Sequence, residues 1–200
     1  MGRFTRKLET KGMKMLLSDK GVKEKAYAKS LVKLNEAKKE LLSEFENHPV
    51  TREIAAGPDA SNISRTVVGQ GNLFTFIGFD EGYDPIAPVY QLLDQGTRLM
   101  KTGAKTTRRG KRNVLVYHMV SMPNKKRLMA VSPMPWEPGS WLFRIERGIS
   151  GLGYYIYKNY IRASRSGRAI QSKYKVDNSL FKRTKYMSTI LNNFQRRLKV

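Results

Sequence analysis

Cysteine is absent from the 200 residues, which excludes a disulfide scaffold, a thiol nucleophile and a thiolate metal site, and fits synthesis in a reducing cytoplasm. Histidine is scarce: His48 and His118 are the only two. They are far apart in the chain, and a zinc site would need more nitrogen, sulfur or carboxylate ligands than they offer. Acidic residues are few, 16 against 38 Lys and Arg, for a net charge of +22. Asp80, Glu81 and Asp84 cluster, but a turn and a helix cap account for them better than a metal does. No apolar run reaches the roughly 18–20 residues of a membrane span; the stretch 141–161 is broken by Arg144, Glu146, Arg147 and Lys158. Met13 to Leu17 is too short for the apolar core of a signal peptide. Gly69-Gln70-Gly71 lacks the Lys-Ser/Thr that completes a phosphate loop and reads as a turn. With no catalytic constellation and no cofactor motif, the sequence reads as one that binds and assembles rather than catalyses.

The positive charge is concentrated. Residues 98–127 hold 10 basic residues and no acid, and 162–200 hold 11 basic residues and one acid, whereas 50–97 is net −4. Such an imbalance implies a polyanion or an acidic protein as partner. The run Lys101, Lys105, Arg108, Arg109, Lys111 and Arg112 carries little apolar or aromatic surface. It suits phosphate-backbone or acidic-surface contact better than base stacking.

Periodicity gives an α+β class: a long N-terminal helix and a C-terminal helix packed on a small, mostly antiparallel sheet, with extended basic arms. The first helix runs from Val22 to Asn47, capped by Ser18 or Asp19, with Tyr27, Leu31, Leu34, Leu41 and Phe45 at helical spacing. His48-Pro49 ends it. Strands are expected over Ile63 to Val68 and over Leu73 to Phe79, the latter apolar on both faces and so central or interfacial. Asp84-Pro85 opens a helix that buries Ala87, Tyr90 and Leu92 or Leu93 and stops at Gly96. Residues 98–112 read as an exposed loop. Asn113 to Val120 and Lys126 to Val131 read as a hairpin about Met122-Pro123-Asn124-Lys125. Ser140 caps a third helix with Leu142, Ile145, Ile149, Leu152 and Ile156 along one side. A strand at 169–176 and a short helix from Ser179 would complete the chain. The expected organisation is a flexible arm (1–17), a core domain (18–161) and a basic C-terminal extension (162–200). Phe74, Phe76 and Phe79, and Phe181, Ile190 and Phe194 in the extension, are candidates for a protein interface.

One combination is more specific than composition. A helix precedes His48-Pro49-Val50-Thr51 and an apolar run. Then comes Pro88-Val89-Tyr90-Gln91-Leu92-Leu93-Asp94-Gln95-Gly96-Thr97, followed by a basic loop, a hairpin, a proline-rich turn and an amphipathic helix. This order resembles the head–tail joining and tail-completion (neck) proteins of tailed bacteriophages. Tyr90, Asp94, Gly96 and Thr97 match a tyrosine-started helix ending in acid-x-Gly-Thr, with aspartate where glutamate is expected. Pro138 and the segment 141–157 match the closing turn and helix. The resemblance spans about residues 20–160. It implies a virion structural protein, made in the host cytoplasm, that forms a homo-oligomeric ring between portal and tail beside neighbouring neck, portal or tail proteins and the genomic DNA backbone. A basic nucleic-acid-binding protein, ribosome-associated or DNA-coating, is the alternative that composition leaves open.

Overall fold

The computed structural model describes residues 20–67, 71–100, 105–106, 114–115, 119–135, 138–147 and 182–198. The expected N-terminal arm, the expected strand at 169–176, and Ile149, Leu152, Ile156 and Phe181 lie outside the described residues. The fold is helix-rich α+β. Its first helix, α1 (Lys20–Asn47), buries Leu34, Ala37, Leu41 and Phe45. Its first half, residues 20–33, has no fully buried side chain among those described.

The chain turns at His48 and starts α2 (Pro49–Ala55) at once. Proline, which ends α1, is already at the helical φ for the first turn of the next helix and lacks an N–H that would be orphaned there. The His48 Nδ1 accepts the Val50 N–H at 3.2 Å and caps α2. Among the described residues of 56–72 there is only an isolated bridge at Val67 instead of the expected strand. Side chains satisfy this backbone in place of a ladder. Buried Glu53 accepts the N–H groups of Ser64 and Leu73, each at 2.7 Å. The Asn72 amide donates to the carbonyls of Gly57, Pro58 and Ala60 at 3.3, 2.9 and 2.8 Å.

The expected apolar strand over Leu73 to Phe79 is instead a short helix, α3 (Leu73–Ile77). A reciprocal cap decides this: Asn72 Oδ1 accepts the Thr75 N–H at 2.9 Å and Thr75 Oγ1 accepts the Asn72 N–H at 3.3 Å. Gly78, at φ 83°, supplies the left-handed terminus that other residues rarely adopt. The run is apolar on all sides because the helix is enclosed. Phe74 and Phe79 are 2% and 1% exposed, and Phe76 packs against the same core. These side chains fill the chain's own interior, which corrects their reading as an interface strand.

Helix α4 (Ala87–Gly96) follows, with the Asp84 carboxylate accepting the N–H groups of Ile86 and Ala87 at 2.8 and 3.1 Å. Val89 and Leu93 face the core, while Ala87 and Tyr90 are only half-buried. Then β1 (Arg98–Met100) pairs antiparallel with β4 (Met119–Ser121), and β2 (Lys105–Thr106) pairs antiparallel with β3 (Val114–Leu115). The expected second strand over Lys126 to Val131 is helix α5 (Lys125–Ala130), capped where Asn124 Oδ1 accepts the Arg127 N–H at 3.0 Å. Asn124, read as a turn residue, is a helix cap, so the strand before it takes its partner from upstream.

Ser132 and Ser140 meet through a 2.5 Å contact between their hydroxyls, and the Trp141 N–H donates to the Ser132 carbonyl at 3.0 Å. Helix α6 (Trp141–Arg147) buries Trp141, Leu142 and Ile145. Helix α7 (Met187–Leu198) then runs antiparallel to α1: its start lies by Phe45 and its end by Glu40 and Glu44. The expected boundary at residue 161 therefore does not mark an extension lying outside the core. Ile190 and Phe194, 2% and 1% exposed, are core residues packed with α1 rather than partner contacts. Fully buried Tyr186 ties four helices together. Its ring lies 4.6 Å from His48, 6.1 Å from Phe45 and 6.5 Å from Trp141, and its hydroxyl meets Thr51 Oγ1 at 2.5 Å. Glu146 of α6 accepts the N–H groups of Tyr186 and Ser188 at 3.2 and 2.6 Å, so a carboxylate from another helix caps α7.

Candidate interaction surfaces

Two features stand out: the paired strands between residues 98 and 121, called the arm below, and a cleft. The arm is defined by its pairing register. Arg98, Leu99 and Met100 pair with Ser121, Val120 and Met119, and Lys105 and Thr106 pair with Leu115 and Val114. In chain order the second ladder is nested inside the first, since β2 and β3 both lie between β1 and β4. In the sequence the run Arg108, Arg109, Lys111 and Arg112 falls between β2 and β3. Residues 98–112, expected as a loop, include β1 and β2, and Lys105 sits in β2 opposite Leu115. Lys101, Arg108, Arg109, Lys111 and Arg112 themselves lie outside the described residues. At the base of the arm Leu99 and Val120 pack against the core, whereas the cross-strand pair Met100 and Met119 is exposed. This is the alternation of a ribbon with one face on the protein.

The segment Tyr90–Thr97 sets the base of the arm. Asp94 forms an ion pair with Lys38 of α1 at 2.7 Å, fixing α4 against α1. Gly96 allows the chain to pass close to Pro123, because a Cβ there would lie 2.6 Å from Pro123 Cγ. Thr97 is buried where helix gives way to strand. Together these residues set the launch point of β1 against the return of β4.

The cleft has a volume of about 780 Å³ and lies between the end of α1, α2, the 56–63 turn and α4. Ala55, Ala56, Ala60 and Ala87 leave room in it, Ile63 and Tyr90 give it apolar walls, and Glu46, Arg52 and Asp84 bring charge. No sequence signal marks this cleft, because its lining is drawn from residues up to 45 positions apart; only packing assembles it.

The most perturbed ionisable groups sit in the interior. Burial holds the Tyr186 phenol well above its ordinary range, opposed by the Thr51 hydrogen bond and reinforced by the Glu146 charge. Burial lowers the pKa of half-buried His48, and a hydrogen bond to the Lys185 backbone opposes that shift. His48 and Tyr186 both serve helix ends and packing: His48 caps α2, and Tyr186 precedes α7. Among the described residues no group of three or more His, Cys, Asp or Glu could hold a metal ion. No helix among them is long and apolar enough to cross a membrane. No protein-family model, curated protein or solved structure matches the chain.

Proposed function

We propose that this chain is a non-enzymatic structural protein of a tailed-phage particle. In this reading it is a subunit of a ring at the junction of head and tail, contacting neighbouring neck, portal or tail proteins. The observation that carries the proposal is the joint between α4 and the arm. Asp94, Gly96 and Thr97, the residues of the neck-protein signature, fix where the arm leaves the core. In the sequence the basic run 108–112 lies between β2 and β3. A rigid core that presents a basic arm suits a ring whose lumen DNA must traverse, because contacts to phosphates need charge and reach but no base reading. The deciding experiment is mass spectrometry of purified virions from the phage whose genome encodes the chain, with electron microscopy of the purified protein. Presence in virions and closed rings support the proposal; absence from virions refutes it.

An alternative is a nucleic-acid-binding protein, favoured by the arm itself, since two-stranded ribbons are used to enter DNA grooves. Reversing Arg108, Arg109, Lys111 and Arg112 to glutamate separates the readings. A dedicated nucleic-acid binder loses affinity for duplex DNA and most of its salt dependence, about 0.9 in log–log slope per phosphate contact removed. A ring subunit retains assembly while DNA retention in particles falls.

A further inference from the structure

We infer that the outer face of the first half of α1 docks into the cleft beside α2 of a second copy of the chain. The inference rests on the ring reading only for the geometry in which such contacts would close. The interior stripe of α1, Leu34, Ala37, Leu41 and Phe45, accounts for one side of the helix. On another side Ala28, Leu31 and Val32 follow the i, i+3, i+4 spacing of a helical contact face. All three are exposed, Leu31 at 37% and Val32 at 57%, and Lys25 and Lys29 flank them, also exposed. This is an apolar strip with a positive border on a segment that has no fully buried side chain among those described.

The cleft is its chemical complement. Its walls include Ile63, 44% exposed, and half-buried Tyr90 over a bed of alanines that leaves space for inserted side chains. Its lining sets the exposed carboxylates of Glu46 and Asp84 against one exposed guanidinium, Arg52, and the 50–97 region that builds most of it is net −4. The strip cannot reach the cleft of its own chain. Val32 and Glu46 lie on the same continuous helix, fourteen residues and so about 21 Å apart along its axis. Two complementary surfaces held apart by a rigid element can be satisfied only between molecules.

The contact is small. A strip from Lys25 to Val32, roughly 10 Å long and 10 Å wide, covers far less than the ~800 Å² per partner of a stable pair. One such junction is therefore weak, concentration-dependent and salt-sensitive, and becomes stable only when several close together.

The experiment is sedimentation velocity of the full-length chain from low to high micromolar concentration. It compares the parent with a strip-blocked variant (Leu31→Glu with Val32→Glu) and a cleft-blocked variant (Glu46→Lys with Ala55→Arg). All four positions are exposed, and circular dichroism with thermal melting verifies that each variant folds. Each variant alone should self-associate about tenfold or more weakly than the parent. An equimolar mixture should give dimers that grow no further, because one intact strip meets one intact cleft. In the parent, amide protection at 28–32 and 55–63 should rise with concentration, a readout that needs no variant. If both variants assemble like the parent, or the parent stays monomeric throughout, the docking is overturned. Parent rings that persist in both variants would remove the docking and leave the ring reading standing. A parent that stops at a dimer abolished by either variant would keep the docking, as a reciprocal pair, and remove the ring.

Discussion

Removing the Tyr186 hydroxyl and removing its partner, the Thr51 hydroxyl, should have unequal costs that do not add. The two oxygens stand 2.5 Å apart in the interior, with Tyr186 fully buried and Thr51 2% exposed. In Tyr186→Phe the surviving Thr51 hydroxyl lies on α2 and can turn to the carbonyl three or four residues back. The loss is then close to one net hydrogen bond, about 1 kcal/mol. In Thr51→Val the surviving phenol has no such alternative and is left unsatisfied, at about 2 kcal/mol within the usual 1–3. The double variant replaces both groups by apolar atoms of similar shape and should lose less than about 1 kcal/mol, a coupling of about 2 kcal/mol. Urea unfolding followed by circular dichroism measures this. With a slope of about 2 kcal/mol/M, the midpoints should fall by about 0.5 M, 1 M and under 0.5 M respectively. Additivity of the single variants within about 0.5 kcal/mol would refute the pairing. The same pair predicts an alkaline effect. Burial raises the folded Tyr186 pKa above the unfolded value near 10. Above that pH the unfolded chain loses a proton that the folded chain keeps, so stability is intact below about pH 10 and falls as pH rises. Tyr186→Phe should show a shallower alkaline decline than the parent.

Phe194→Ala should lower stability by about 3–5 kcal/mol, because its 1% exposed ring fills the α1–α7 contact; an unchanged urea midpoint would show that α7 is not part of the core. His48 caps α2 through a neutral ring nitrogen and has a lowered pKa. Stability should therefore be full above the unfolded histidine value near 6.5 and fall as pH drops through it. His48→Asn, which keeps a capping oxygen, should flatten that dependence in unfolding curves at pH 7.5 and 5.5. Gly96→Ala gains up to about 1 kcal/mol of helix propensity but sets a Cβ 2.6 Å from the buried Pro123 ring. Overpacking costs about 1–3 kcal/mol, so the melting temperature should fall, and a rise would show that Pro123 yields freely.

What the sequence determined by itself was whatever depends on neighbours a few residues away. The long α1, its end at His48-Pro49, the Asp84 turn that opens α4 and the apolar side of α7 are all written in local spacing and turn chemistry. The charge map is likewise a property of the chain alone. Local chemistry also held two signals that the apolar pattern outweighed. The Asn72–Thr75 cap closed by Gly78 makes Leu73–Ile77 a helix, and Asn124 does the same for Lys125–Ala130. Short apolar runs fit strand and buried helix equally well, so caps and not periodicity discriminate. Only the tertiary structure decided which apolar faces are spent on the core. The stripe of α7 that sequence offered to a partner meets α1 instead, about 150 positions away, locked by Arg197 to Glu40 and Glu44 and by Tyr186 to Thr51. The same packing leaves Leu31, Val32 and the alanine-lined cleft open. Whether a hydrophobic residue is interior or interface depends on what long-range contacts have already covered it, and no local window contains that information.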